Sequence, residues 1–288
     1  MISLENIEKI ENISSTEFMS NYKASATPVV MKNLTKEWRA RKKWSLEYFE
    51  ELGSDVEVKL YDSKPSSDDK LQHAAEKTLP LKEYFNLLRS GEKDLRMFFF
   101  QILKEIPALQ RDFNYPDLGV KFFKKLPVMF LAGEGAKVQM HYDIDYADII
   151  LCHFGAKKRV VMFSPEQTKY MYHVPFSYSA LFDVDFANPD YKKYPALARL
   201  KGFETTLEHG DALYIPPGWW HNVEYEGISY SLALRAFPRT AKNFLKMLHN
   251  IVIIRTVEGI MRKLFSQRWN DRNTRVACEK TNKNIENL

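Results

Sequence analysis

The stretch GDALYIPPGWWHNVE, residues 210–224, decides how the fold is read. Gly210-Asp211 makes a tight turn, Ala212 to Ile215 reads as a strand, Pro216-Pro217-Gly218 is a rigid bend, and Trp219-Trp220 supply bulk beside His221 at the head of a second strand. The same texture continues on both sides. Between Arg96 and Phe237 lie RMFFFQIL, VMFLAG, QMHYDID, DIILCHF, RVVMFSP, FETTLEH, ALYIPPG, HNVEYEG and ISYSLALRAF. Short strands separated by turn residues in this number indicate a β-sandwich or barrel. Residues 164–201 interrupt them, with helical signals at Pro165–Tyr172 and in NPDYKKYPALARLK (188–201).

Outside this core the pattern changes. PVVMKNL and VEVKLYDS read as strands, WSLEYFEEL and LKEYFNLLRSG as helices, the second ended by Gly91. After Pro238, Phe244, Leu248, Ile251, Ile254, Val257, Met261 and Leu264 recur at helical spacing. That apolar stripe either packs on its own domain or pairs with a second copy of the chain; Arg255, Arg262, Lys263 and Arg268 beside it also permit an interfacial membrane helix. No repeat or Gly/Ser linker divides the chain. The expected organisation is a mixed α/β flank (1–95) integral to the fold, a β-barrel core (96–238), and a C-terminal helical segment (239–288) suited to dimerisation.

Composition narrows the function. With 288 residues, 45% hydrophobic and 27% charged, the chain is neither disordered nor fibrous. Cys152 and Cys278 are too far apart for a disulfide framework or a thiolate zinc site, so a reducing cytoplasm is expected. The N-terminus MISLENIEKIENISS lacks an apolar core of the signal-peptide kind, and no run of apolar residues is long enough to span a bilayer. Forty-two basic against 37 acidic residues give +5, which permits an acidic partner without demanding one. Arg39–Lys43 reads as a solvated basic cluster. No GxSxG, P-loop, GxGxxG or HExxH sequence occurs, so hydrolase, nucleotide-binding and zincin readings have no support.

One constellation carries chemistry. In MHYDID (140–145), His141 and Asp143 are two residues apart, and in an extended strand they share a face. His221 comes from a distant strand that a closed double sheet brings opposite. Two imidazoles and one carboxylate form the facial triad that leaves open positions on non-haem Fe(II). His153 is a structural or substrate-contacting residue in this reading, and His73, His173, His209 and His249 have no ligand-like neighbour.

HYD, then GAKKRVVMFSPEQ (155–167), then GDALYIPPGWWHNVE together resemble the JmjC-type, cupin-like Fe(II)/2-oxoglutarate oxygenases. That group includes the asparaginyl hydroxylase of hypoxia-inducible factor and the tRNA wybutosine hydroxylase. TPVVMKNLTKEW (27–38) and KWSLEYFEEL (43–52) extend the likeness to the flank. The resemblance implies a double-stranded β-helix (jelly-roll, cupin/JmjC) core, mainly β with flanking helices. It implies Fe(II) on His141, Asp143 and His221, 2-oxoglutarate as co-substrate, and oxidative decarboxylation to succinate and CO2 coupled to C–H hydroxylation. The basic residue that meets the far carboxylate in such proteins falls here on Lys158. Strand alternation puts Ser229, Ser231, Ala233 and Arg235 on one face, so Arg235 and Ser231 join the candidate co-substrate residues; a surface position is the other reading of Arg235. Relatives carry a Thr or Ser, a Tyr and an Asn near the co-substrate, where this chain has Val138, Phe98 or Phe99, and Ala233. A noncatalytic metal-binding module, or a cupin enzyme of another class such as an isomerase or an oxo-acid-independent dioxygenase, therefore stays open. The substrate expected first is a protein side chain, with tRNA and small molecules as alternatives, and the residues from Phe176 to Lys201 are expected to overhang the barrel mouth.

Overall fold

The computed structural model describes residues 1–64, 67, 74–238 and 240–286; His73 lies outside them. Each of the nine runs holds a strand. Eight form the barrel: β1 (Val128–Ala132), β2 (Lys137–His141), β3 (Asp148–Gly155), β4 (Lys158–Phe163), β5 (Lys201–Leu207), β6 (Ala212–Ile215), β7 (Trp220–Tyr225) and β8 (Ser229–Ala236). One sheet runs β5-β4-β7-β2 and the other β6-β3-β8-β1, with every pairing antiparallel. The chain crosses between sheets at each step except β4 to β5, where the insertion lies. This is the double-stranded β-helix.

The flank is woven into these sheets. Ser3–Asn6 pairs with β5, Val29–Met31 with β6, and Arg96–Phe100 with β1, followed outward by Glu57–Tyr61 and Lys77–Pro80. The helix Leu46–Gly53 is capped by Ser45, whose Oγ accepts from the Tyr48 amide at 3.2 Å. The helix Leu81–Arg89 buries Leu81, Tyr84, Phe85 and Leu88, one face at helical spacing, under the larger sheet. Tyr84 fixes its height by donating to the Leu131 carbonyl at 2.9 Å.

Apolar side chains divide into three layers. One lies between the larger sheet and the flank, one fills the barrel, and one sits between the smaller sheet and the insertion. β3 and β8 are central, and β8 is buried along its whole length, because it is covered on both faces. At the Pro-Pro-Gly bend, Gly218 has φ +76°, and a Cβ there would come within 2.6 Å of the Tyr146 ring. Only glycine satisfies both the turn and that approach.

Two expected helices do not form as such. Pro165–Tyr170 and Pro195–Arg199 are single 3-10 segments. Prolines open both, and in the second region Asp190 Oδ1 accepts from the Lys192 and Lys193 amides, a turn that competes with helix. The C-terminal segment is helical from Ala241 to Glu286, with a left-handed break at Ser266 (φ 46°). Beyond the break Trp269 and Ala277 are buried against the body. Before it Leu245, Val252, Ile260 and Leu264 are 52–67% exposed. Among the described residues no helix is long and apolar enough to cross a membrane.

Candidate active site

β2 ends and β7 begins at the same level of the smaller sheet, where His141 and His221 are register partners with ring centroids 4.3 Å apart. The register shifts between His221 and Val223, and Asn222 stitches the irregularity by donating to the Val138 carbonyl at 2.7 Å. Asp143 follows just past the end of β2. One ligand atom from each of His141, Asp143 and His221 can be chosen so that all lie within 4.8 Å of one another. Each imidazole uses Nδ1–H to donate to a carbonyl two residues back, His141 to Gln139 at 2.8 Å and His221 to Trp219 at 3.1 Å. This fixes the tautomer and puts each lone pair on Nε2, the orientation that metal-binding histidines use.

Arg235 of β8 bridges two acids. Its Nη2 donates to Asp143 Oδ1 at 2.8 Å and its Nη1 to Asp145 Oδ2 at 2.7 Å. Burial opposes the charge on Asp143, but the Arg235 guanidinium, the largest opposing influence, holds the carboxyl below the usual range. Burial raises Asp145, reinforced by Asp143, and leaves it above that range despite Arg235. The guanidinium also lies 5.2 Å from the centroid of the Phe99 ring.

A cavity of about 520 Å3, counted to its open mouth, runs inward from the triad. At its inner end Lys158 is 1% exposed; its Nζ donates to Ser231 Oγ at 2.7 Å and sits 4.1 Å from the centroid of Tyr225. Burial pushes its pKa down to about 7. Ser231 is held from behind. His153 Nε2–H donates to the Ala156 carbonyl at 2.7 Å, which leaves Nδ1 to accept from the Ser231 hydroxyl at 3.2 Å. The hydroxyl is thereby turned to offer its lone pairs to Lys158. Burial, aided by Lys158, drives the His153 pKa well down, so the ring is neutral.

The structure thus brings His141, Asp143, His221, Lys158 and Arg235 to one cavity, with Ser231 behind Lys158. Arg235 is buried, and its visible partners are protein carboxylates. Of the two phenylalanines, Phe98 lines the cavity with Val138 and Ala233. Phe99 is 36% exposed, because φ of +51° at that residue and a register shift after Met97 turn it outward. His173 and His209 are engaged by backbone groups, His173 with the Ser177 carbonyl and His209 with Gly155 N and the Arg41 carbonyl. Tyr142 packs edge-on against Trp220 in the sheet wall. Sequence reasoning passed over Tyr225 as a cavity residue, although alternation from His221 through Val223 leads to it. From the insertion, Ala180 donates to the Met140 carbonyl and Tyr142 to the Tyr178 carbonyl, so residues 178–180 run beside β2.

A double-stranded β-helix that presents two imidazoles, a carboxylate and a deep lysine in one cavity defines a JmjC-type, cupin-like protein with a candidate metal centre. The chain belongs to the cupin-like domain family, whose profile matches residues 15–240. It is 29% identical over 257 residues to human (Homo sapiens) tRNA wybutosine-synthesizing protein 5, covering 81% of this chain and 78% of that one. The Gallus gallus protein of the same name is 30% identical over 80% of this chain and 76% of its own length. Lysine-specific demethylase 8 of Xenopus tropicalis is 26% identical over 79% of this chain and 52% of its own.

Proposed function

We propose that the chain is an Fe(II)- and 2-oxoglutarate-dependent dioxygenase that couples decarboxylation of 2-oxoglutarate, to succinate and CO2, to hydroxylation of a C–H bond. The observation that carries this reading is the pairing of a metal-type triad with a buried lysine in one cavity. His141, Asp143 and His221 would hold the metal. Bound Fe(II) supplies open positions for a 2-oxoacid and O2. Lys158, steadied by Ser231 and His153, meets the far carboxylate with a charge-assisted hydrogen bond. Val138, Phe98 and Ala233 exclude water from the space between.

For the substrate we favour an RNA over the protein side chain that the resemblance first suggests. Relatives named for tRNA match over about three quarters of their length, the demethylase relative over half. Residues 240–268 hold six basic residues and one acidic, a surplus equal to the whole chain's +5. That helix flanks the site: Asn250 donates to the Ile144 carbonyl at 3.3 Å, and Lys246 sits 4.9 Å from the Tyr146 ring centroid. Polyanion binding of this kind weakens steeply with salt. The exposed apolar face of the same helix supports a homodimer, and a cytoplasmic location fits the free cysteines.

The test is calorimetric titration of 2-oxoglutarate into anaerobic, Mn(II)-loaded protein, followed by succinate release with Fe(II). Binding and succinate release support the oxygenase. A protein that binds Mn(II) but no 2-oxoglutarate overturns it, in favour of a noncatalytic module or another cupin chemistry. Salt-sensitive binding of tRNA, against none of protein-derived peptides, separates the substrate classes.

A further inference from the structure

Lys158 is not the only cation at its end of the barrel: Arg96 lies beyond the residues that line the cavity, within electrostatic reach of Tyr225, the ring under Lys158. Arg96 opens the strand Arg96–Phe100 and is the register partner of Ala132 in β1, which is in turn the partner of Ser229 in β8. Residues opposite one another in an antiparallel ladder share a face. Ala132 packs inside the barrel, and Phe98, two residues beyond Arg96, lines the cavity. Arg96, Ala132 and Ser229 therefore form one inward row. The neighbouring row holds Phe130 and Ser231, the hydroxyl that accepts from Lys158.

The polar atoms of the inner row are orphaned. Arg96 Nε and Nη1 and Ser229 Oγ are buried without a hydrogen-bond partner. Burial depresses the Arg96 pKa, opposed first by Tyr225, the aromatic ring under Lys158. Asp94 and Asp62 also attract the guanidinium, but neither hydrogen-bonds Nε or Nη1: Asp94 Oδ1 accepts from the amide and hydroxyl of Ser63, and Asp62 Oδ2 lies 3.6 Å from Lys64 Nζ. Arg96 as a residue is only partly buried, but buried polar atoms in native proteins are almost always paired, and Nε, Nη1 and Ser229 Oγ are not. The row reads as one half of a contact whose other half is an anion.

We propose that Arg96, with Ser229, joins Lys158 and Ser231 in a two-cation seat for the terminal carboxylate of a dicarboxylic 2-oxoacid. The inference rests on the co-substrate reading given above and adds to it the residues that select a second carboxylate. It also accounts for the apolar Val138, Phe98 and Ala233: the polar contacts missing from the cavity wall are replaced by a guanidinium at its end.

The test compares 2-oxoglutarate with 2-oxopentanoate, which has the same chain length but a methyl group in place of the terminal carboxylate, by calorimetry on anaerobic Mn(II)-loaded protein. Arg96→Leu is expected to weaken 2-oxoglutarate about 10- to 100-fold, the range of a charge-assisted hydrogen bond. Affinity for 2-oxopentanoate and for Mn(II) should not change, and Arg96→Lys should recover part of the loss. Thermal unfolding of both variants checks that the fold is intact, and Arg96→Gln replaces the leucine variant if that one does not fold. Undiminished 2-oxoglutarate binding in a folded charge-removing variant overturns the seat and leaves the oxygenase reading standing, as does equal weakening of both acids. Wild-type protein that binds Mn(II) but neither acid overturns both.

Discussion

Asp143 divides its two oxygens between neighbours of different kinds: Oδ1 accepts from Arg235 Nη2 at 2.8 Å, while Oδ2 faces His221 Nε2 at 3.5 Å. One oxygen is pinned by a guanidinium and the other is turned toward the triad. Arg235 thus orients a candidate metal ligand without belonging to the triad, the arrangement that would tune affinity in a metal site.

Replacing Arg235 with Lys keeps a positive charge but loses the planar fork that spans Asp143 and Asp145. We expect Arg235→Lys to bind Mn(II) about 10- to 100-fold more weakly, with unchanged secondary structure by circular dichroism. Wild-type affinity in this variant would show that the bridge is not needed to orient Asp143.

Removing either imidazole has a larger effect. His141→Ala and His221→Ala should abolish metal-dependent succinate release and leave the protein folded, since neither ring belongs to the three apolar layers. Turnover retained in either variant sinks the triad assignment.

Lys158 makes both binding and stability depend on pH. Its folded pKa of about 7 lies below the ordinary lysine value of 10.5, so between these values the unfolded chain holds the extra proton. Stability without co-substrate is therefore lowest below pH 7 and rises as pH climbs toward 10.5. A dicarboxylate favours the protonated amine, so 2-oxoglutarate affinity should fall as pH rises above about 7. Lys158→Met should remove this pH dependence, with a higher melting temperature than the wild type at pH 6 and no 2-oxoglutarate binding. Titration calorimetry at pH 6, 7 and 8 and thermal melts read both effects.

Leu245, Val252, Ile260 and Leu264 leave an exposed apolar face on the C-terminal helix, which the proposed homodimer would cover. Sedimentation at micromolar concentration should show a dimer, and Val252→Glu with Leu264→Glu should shift it to monomer. A wild-type monomer removes the second copy as the occupant of that face.

The barrel was legible because alternation, turn residues and the Pro-Pro-Gly bend act locally, so the nine runs and the meeting of His141, Asp143 and His221 could be read directly. Lys158 and Arg235 were reached by face and resemblance. What Arg235 touches was not readable, because the bond to Asp145 depends on how the turn after β2 folds. Phe98 and Phe99 could not be told apart from period alone, since a left-handed residue reverses the alternation at that point. The helices expected at Pro165 and Pro195 fell to proline and Asx-turn chemistry. Of the expected C-terminal stripe, Ile254, Val257 and Met261 are partly buried, while Leu245, Val252 and Ile260 beside it are exposed, a division set by tertiary packing that periodicity does not report.

β2 carries His141 at the margin of its sheet, with β7 on one side and nothing in the barrel on the other. A bare strand margin is a template on which a stranger's backbone can add itself. Here the chain supplies its own cover, since Ser179 bridges to His141 and Ala180 to Met140. Shortening the insertion through these residues would do more than trim a rim. It would leave an adhesive strand beside the triad, and the first symptom would be insoluble protein rather than altered selectivity.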